Sequence, residues 1–244
     1  MRANAVSNPS WLIGLFVAVY AFPQSSFRHG TSIAIVRTET EIAIASDSRA
    51  VDGSGNRLPD TCKIIKAGRW YFSLNGMAST PGIDVFSIVG KILRHQGDMA
   101  DRSTAIINLL MPLLSSALKS DLALREYAIA QGSLLGVTVY GNENNVLKLA
   151  SIKFVVSRSG CVSYERHSCP GDCSGDGRVG MFVPAADTPK FNWNTEPLIA
   201  VHDFVQMELD RHRVDIGPPL QILQINHNGR AKWIEKPRVC RDQK

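Results

Sequence analysis

The chain has 244 residues, 44% of them hydrophobic and 20% charged, with a formal net charge of +5. That length supports one substantial domain with a layered core, and the composition excludes disordered and collagen-like classes. Basic residues are scattered except at Lys232, Lys236, Arg238, Arg241 and Lys244. No alternating footprint of aromatics and cations accompanies them, so the stretch reads as a solvated tail and nucleic acid is not an expected partner.

Residues 1–30 differ from the rest. Arg2 precedes the apolar run Trp11 to Phe22, followed by Pro23, Gln24, Ser25 and Ser26. The run is short for a bilayer span but has the length of a signal-peptide core, with a cleavage site after Ala21. The expectation is export to the periplasm or the medium. The alternative is a hydrophobic pro-segment of a cytoplasmic protein, or a start codon placed too early. Either way, 1–30 is read as removed and 31–244 as the working domain.

From Thr31 the pattern has period two. TSIAIVR, a TET link and EIAIASD predict a β-hairpin. A turn-rich loop covers 51–60, and strands are predicted at 62–65 and 69–76. Ser79-Thr80-Pro81 reads as a helix N-cap with proline in the first turn. Val85, Ile88, Val89, Ile92 and Leu93 follow at helical spacing. A second helix is predicted from Arg102, kinked at Pro112, with Asp121 to Gln131 continuing it. Strands return at SLLGVTVYG and NVLKLASIKFVV, 157–180 reads as loop, and a helix is predicted over 195–212. LQILQI, HNGR and AKWIEK close the chain as a hairpin with an Asn-Gly turn. No repeat or linker divides the chain. Strands, two helices, strands, a helix and strands fit an α+β fold, a four-layer αββα sandwich, and not the βαβ alternation of a doubly wound sheet.

The five cysteines, Cys62, Cys161, Cys169, Cys173 and Cys240, are odd in number. In CPGDC a turn could bring Cys169 and Cys173 to bonding distance, which would suit export, although spacing alone does not prove a bond. No CxxC or HExxH spacing is present, so neither metal nor cofactor is expected. Asp172, Ser174, Asp176 and Gly177 imitate the start of a calcium loop, but Val183 stands at its closing position, and the segment reads as a plain turn.

The chemistry concentrates at the first hairpin. If TET is a three-residue loop closed by Arg37 opposite Glu41, Thr31 lies directly opposite Asp47, on the same face of the sheet. Asp47 follows Thr31 by 16 residues, and Lys63 follows Asp47 by 16 more. A threonine hydroxyl needs a base to become a nucleophile. A freed α-amine, with an ordinary pKa of about 7.7–8.0, can serve near neutral pH. Lys63 close by would keep that amine unprotonated, with Asp47 anchoring the lysine. Gly30 suits autocleavage, since a residue without Cβ permits a strained peptide. Asn75-Gly76 ends a predicted strand, which suits an oxyanion donor.

GTSIAIV from Gly30, SDSRAVDG from Ser46 and Lys63 in TCKIIK resemble the catalytic β subunits of the proteasome and their bacterial relatives, more diffusely over 30–236. The resemblance implies a threonine peptidase with the N-terminal-nucleophile (Ntn) hydrolase fold, autocleaved between Gly30 and Thr31. It assigns Thr31 as nucleophile, Asp47 and Lys63 as its partners, the Gly76 N–H as oxyanion donor and Asp215 as a second supporting acid. It also implies a peptide or protein substrate and a homo-oligomeric ring, with any unfoldase partner unspecified. The sequence departs from the family at Met77, after the glycine, at Ala78-Ser79-Thr80, where an acid is usual, and at Pro218, where a serine is usual. A glycine-flanked serine loop has no clear counterpart around Val179 to Ala186. The other readings are an amidase for small amides on the same fold and an inert, proteasome-like assembly subunit.

Overall fold

The computed structural model describes residues 28–29, 32–52, 54–172, 195–211 and 216–240. The strands are β1 (Arg28–His29), β2 (Ile33–Arg37), β3 (Glu41–Ser46), β4 (Ala50–Asp52), β5 (Arg57–Leu58), β6 (Ile65–Ala67), β7 (Trp70–Gly76), β8 (Ser79–Thr80), β9 (Ile83–Asp84), β10 (Ser133–Glu143), β11 (Val146–Val156), β12 (Val162–Cys169), β13 (Gln221–Asn226) and β14 (Ala231–Glu235). The helices are α1 (Val85–Arg94), α2 (Met99–Ser120), α3 (Leu122–Gln131) and α4 (Pro197–Asp210). The fold is α+β, with antiparallel sheets ordered β14-β13-β3-β2, β12-β11-β10-β7-β6 and the small β5-β4-β1-β8-β9.

Three apolar clusters hold these elements together. Ala34, Val36, Ala43 and Ala45 meet Ala200, Val201, Phe204 and Val205 of α4. The alternate residues of the same hairpin, Ile33, Ile35, Ile42 and Ile44, share a cluster with Tyr71, Tyr140, Leu147 and Leu149 of the larger sheet. Period-two alternation thus sends alanines to the helix, which needs close approach, and isoleucines to the space between the sheets. Each fully buried isoleucine there contributes about 1.5–3 kcal/mol. The far face of the larger sheet packs Phe72, Val137 and Ile152 against Val89, Ile106, Leu110 and Leu114 of α1 and α2.

Four predicted boundaries are corrected. Ser79-Thr80 does not cap a helix: it pairs with Ile83–Asp84 across Pro81-Gly82. Gly82 has φ of 84°, so proline followed by a left-handed glycine makes a type II turn, and α1 is capped instead by Asp84, which accepts from Ser87 N–H. Asp121 to Gln131 does not continue α2. Asp121 is extended, its side chain caps α3 by accepting from Leu124 N–H, and the two helices bend by 115°. The strand predicted at 62–65 is β6, shifted to Ile65–Ala67. Residues 162–169, read as loop, form β12, an edge strand exposed over most of its length. Without a buried face, it carries no alternation in the sequence.

Cys62 and Cys240 form a disulfide that the sequence reading missed. Cys169 is also disulfide-bonded, while its expected partner Cys173 lies outside the described residues, as does most of the calcium-like segment. Cys161 is free and exposed. Among the described residues no single helix is long and apolar enough to cross a membrane; the predicted signal segment lies outside them.

Candidate active site

The β2–β3 hairpin corrects the predicted register by one residue. Ile33 pairs with Ser46 and Arg37 with Ile42, so Asp47 stands across from Ser32, not Thr31. The cause is the turn. Thr38 N–H donates to Glu41 O at 2.8 Å, and the Thr38 hydroxyl accepts from the N–H groups of Thr40 and Glu41. Glu39 and Thr40 alone make the bend, a two-residue loop where three residues were expected.

Just past β3, Asp47 is fully buried and its carboxylate gathers four donors. Oδ1 accepts from Ser32 N–H at 2.8 Å and from Lys63 Nζ at 2.7 Å. Oδ2 accepts from Arg49 N–H at 3.0 Å and Gly217 N–H at 3.1 Å. Burial raises the Asp47 carboxyl above its ordinary value, while Lys63 and the Ser32 and Gly217 amides pull it back. Lys63 is itself 3% exposed. A pair so far from water requires satisfied geometry, because either charge alone would cost several kcal/mol.

The sequence therefore brings Asp47 and Lys63 together as expected. Thr31, Gly30 and Asp215 lie outside the described residues. The Ser32 amide that Asp47 holds is nevertheless the peptide link to residue 31, so the carboxylate is fixed against the backbone that carries the threonine. Beside it, the Ser32 hydroxyl is buried with no hydrogen-bond partner among the described residues.

Gly76 ends β7 on the facing sheet, opposite Leu135. Its φ is 76°, and a Cβ there would lie 2.5 Å from Leu134 O, so only glycine fits. Met77, whose bulk departs from the expected pattern, is fully buried in the cluster facing α1 and α2, and its N–H donates to Leu134 O. Its side chain is spent on the core.

No family model matches the chain, and no curated protein matches it.

Sequence reasoning missed Gln221. In LQILQI it is an uncharged polar residue with no motif to mark it, yet it is fully buried on the strand face it shares with Leu223 and Ile225. Its side-chain oxygen accepts from the N–H groups of Lys63 and Ile64 at 2.9 and 3.2 Å. Its amide nitrogen donates to Thr61 O at 2.9 Å and Ser48 Oγ at 2.8 Å, with a longer contact of 3.3 Å to Asp47 O. A cavity of about 310 Å³ lies elsewhere, lined by Lys66, Arg69, Tyr71, Asn142 and Ile225 among others, and no candidate site residue borders it.

Proposed function

We propose that the chain is an N-terminal-nucleophile hydrolase of the proteasome β-subunit type, a threonine peptidase working through Thr31 on a four-layer αββα sandwich. The observation that carries this reading is the buried Asp47–Lys63 pair, whose shared oxygen also holds the Ser32 amide. The packing of α4 on one sheet, the apolar cluster between the sheets, and α1 and α2 beyond supports the sandwich.

Cleavage between Gly30 and Thr31 would free an α-amine on the threonine. That amine takes the hydroxyl proton as Oγ attacks a peptide carbonyl. A C–O bond forms, the scissile C–N bond breaks, and the leaving amine departs with the proton. Water then attacks the resulting ester and gives a proton to the amine; a new C–O bond forms, the bond from the carbonyl carbon to Thr31 Oγ breaks, the acid product leaves, and the amine returns the proton to Oγ. Lys63 disfavours protonation of the amine and Asp47 fixes Lys63. The Gly76 N–H stabilises the oxyanion, and Asp215 is the second supporting acid that the resemblance assigns.

Burial of Met77 in the helix-facing core weighs against the inert-subunit reading, because its bulk does not bear on the site. The Cys62–Cys240 disulfide supports export to an oxidising compartment. A homo-oligomeric ring acting on peptides or proteins completes the proposal, and light scattering of processed protein tests it.

Intact-mass measurement of the purified protein, beside a panel of fluorogenic peptides and small amides, tests the activity. The expected result is a chain beginning at Thr31 that cleaves peptides. Thr31→Ala should abolish turnover, and Lys63→Met should move the rising limb of the kcat/KM profile to higher pH. An active chain that still carries Gly30 would overturn the mechanism, because its amine would be locked in a peptide bond. Turnover confined to small amides would favour the amidase.

A further inference from the structure

We infer that Gln221 is a positioning residue that holds the Asp47 turn and the Lys63 segment in the one arrangement where their side chains meet. The inference deepens the hydrolase reading and rests on it for its catalytic consequence, but its geometry stands apart from Thr31.

Lys63 is not part of a strand. Before β6 begins at Ile65, the chain from Pro59 to Ile64 lies in no strand, and its backbone meets the Asp47 turn where Thr61 N–H donates to Ser48 O at 2.8 Å. Two backbone N–H groups of this segment, those of Lys63 and Ile64, end on the Gln221 side-chain oxygen, and the Thr61 carbonyl accepts from its nitrogen. The same nitrogen reaches Ser48 Oγ, one residue beyond Asp47. One planar amide therefore bridges two segments 15 to 16 residues apart in sequence, each carrying half of the ion pair. Its own backbone is fixed by β13, where Gln221 pairs with Ser46 at the end of β3. The disulfide sulfurs of Cys62 and Cys240 pack 3.5 and 3.4 Å from its oxygen, which closes the clamp to water.

Only an amide of this length fits the role. It must accept from two N–H groups and donate to two oxygens at once, which no carboxylate, hydroxyl or ammonium does. A side chain that gave packing alone would leave these four polar groups, and the Asp47 carbonyl at 3.3 Å, to find new partners in a dry interior. The lysine would then be free to drift from the carboxylate, and displacement of about 1 Å in a catalytic group costs about 100-fold in rate.

Three measurements test this on the full processed chain. In the wild-type protein, hydrogen exchange should find the Lys63 and Ile64 amides protected like strand amides, although neither lies in a strand; rapid exchange would overturn the proposal without any variant. In Gln221→Met, which keeps length and removes the hydrogen bonds, the carbon-13 titration midpoint of the Asp47 carboxyl should rise by about one pH unit as the lysine withdraws. An unchanged midpoint in folded protein would overturn it. With a fluorogenic peptide that the wild type cleaves, Gln221→Met should lower kcat by about 100-fold at nearly constant KM. Leu114→Ala, a destabilised control in the helix-facing core, should leave kcat unchanged at temperatures where it is folded. Equal losses of kcat in the two variants would reduce Gln221 to a stability residue. If the wild type cleaves nothing, the hydrolase reading fails, while the exchange and titration results still decide the role of Gln221.

Discussion

The Lys63 ammonium lies 2.7 Å from the Asp47 carboxylate with both side chains out of solvent. Neither charge has water as an alternative, so each depends on the other.

Asp47→Asn should therefore destabilise the fold by about 3–5 kcal/mol, because it removes the countercharge that lies 2.7 Å from a buried ammonium. The double variant Asp47→Asn, Lys63→Met should recover part of that loss, since an unbranched apolar chain replaces the buried charge. Urea unfolding at neutral pH measures both. A double variant no more stable than Asp47→Asn would mean that the lysine escapes to solvent once released.

The titration of Asp47 has a definite sign. Burial holds its carboxyl above the ordinary value of 3.8, so its carbon-13 midpoint should lie above that value. The folded chain then binds this proton more tightly than the unfolded chain does. The stability contributed by this group is complete below the unfolded value and is lost as pH rises through the folded one. Compared with Asp47→Asn, which does not titrate, the wild type should lose relative stability across that window. A midpoint below 3.8 would reverse the slope.

Gly76→Ala tests the strand end. A left-handed backbone costs an L-residue about 1–2 kcal/mol, and the added methyl would meet Leu134 O at 2.5 Å. A loss of at least about 2 kcal/mol is expected, with kcat reduced further if the Gly76 N–H serves the oxyanion. Full stability in urea would show that β7 relaxes at no cost.

Removing the long-range disulfide with Cys62→Ser and Cys240→Ser should cost about 2–5 kcal/mol under oxidising conditions. Non-reducing peptide mapping should recover the Cys62 and Cys240 peptides joined, and alkylation without reductant should label Cys161. Labelling of Cys62 in the folded protein would exclude the bond.

What the sequence made legible follows from burial. The β2–β3 hairpin was readable because isoleucine and alanine alternate between two different apolar surfaces, and Asp47 and Lys63 were readable through their spacing. The register was not, because it turns on the Thr38 hydroxyl, which closes the bend one residue tighter than a TET loop implies. β12 was hidden because an edge strand has no apolar face to declare. Gln221 was hidden for the opposite reason: an uncharged polar residue at the start of a strand looks solvated, and only the fold places a loop over it. The Cys62–Cys240 pair was beyond reach, since a separation of 178 residues carries no local signal.

That separation also sets a calendar. As the chain emerges from its N-terminal side, Gln221 follows Lys63 by 158 residues and Cys240 follows Cys62 by 178. Until they emerge, the lysine segment has neither its clamp nor its staple. A fragment that ends between Lys63 and Gln221 carries both members of the ion pair but lacks the amide that ties their two segments together. Under the proposed function, such a copy would be inactive through its own incompleteness, with no separate inhibitor required.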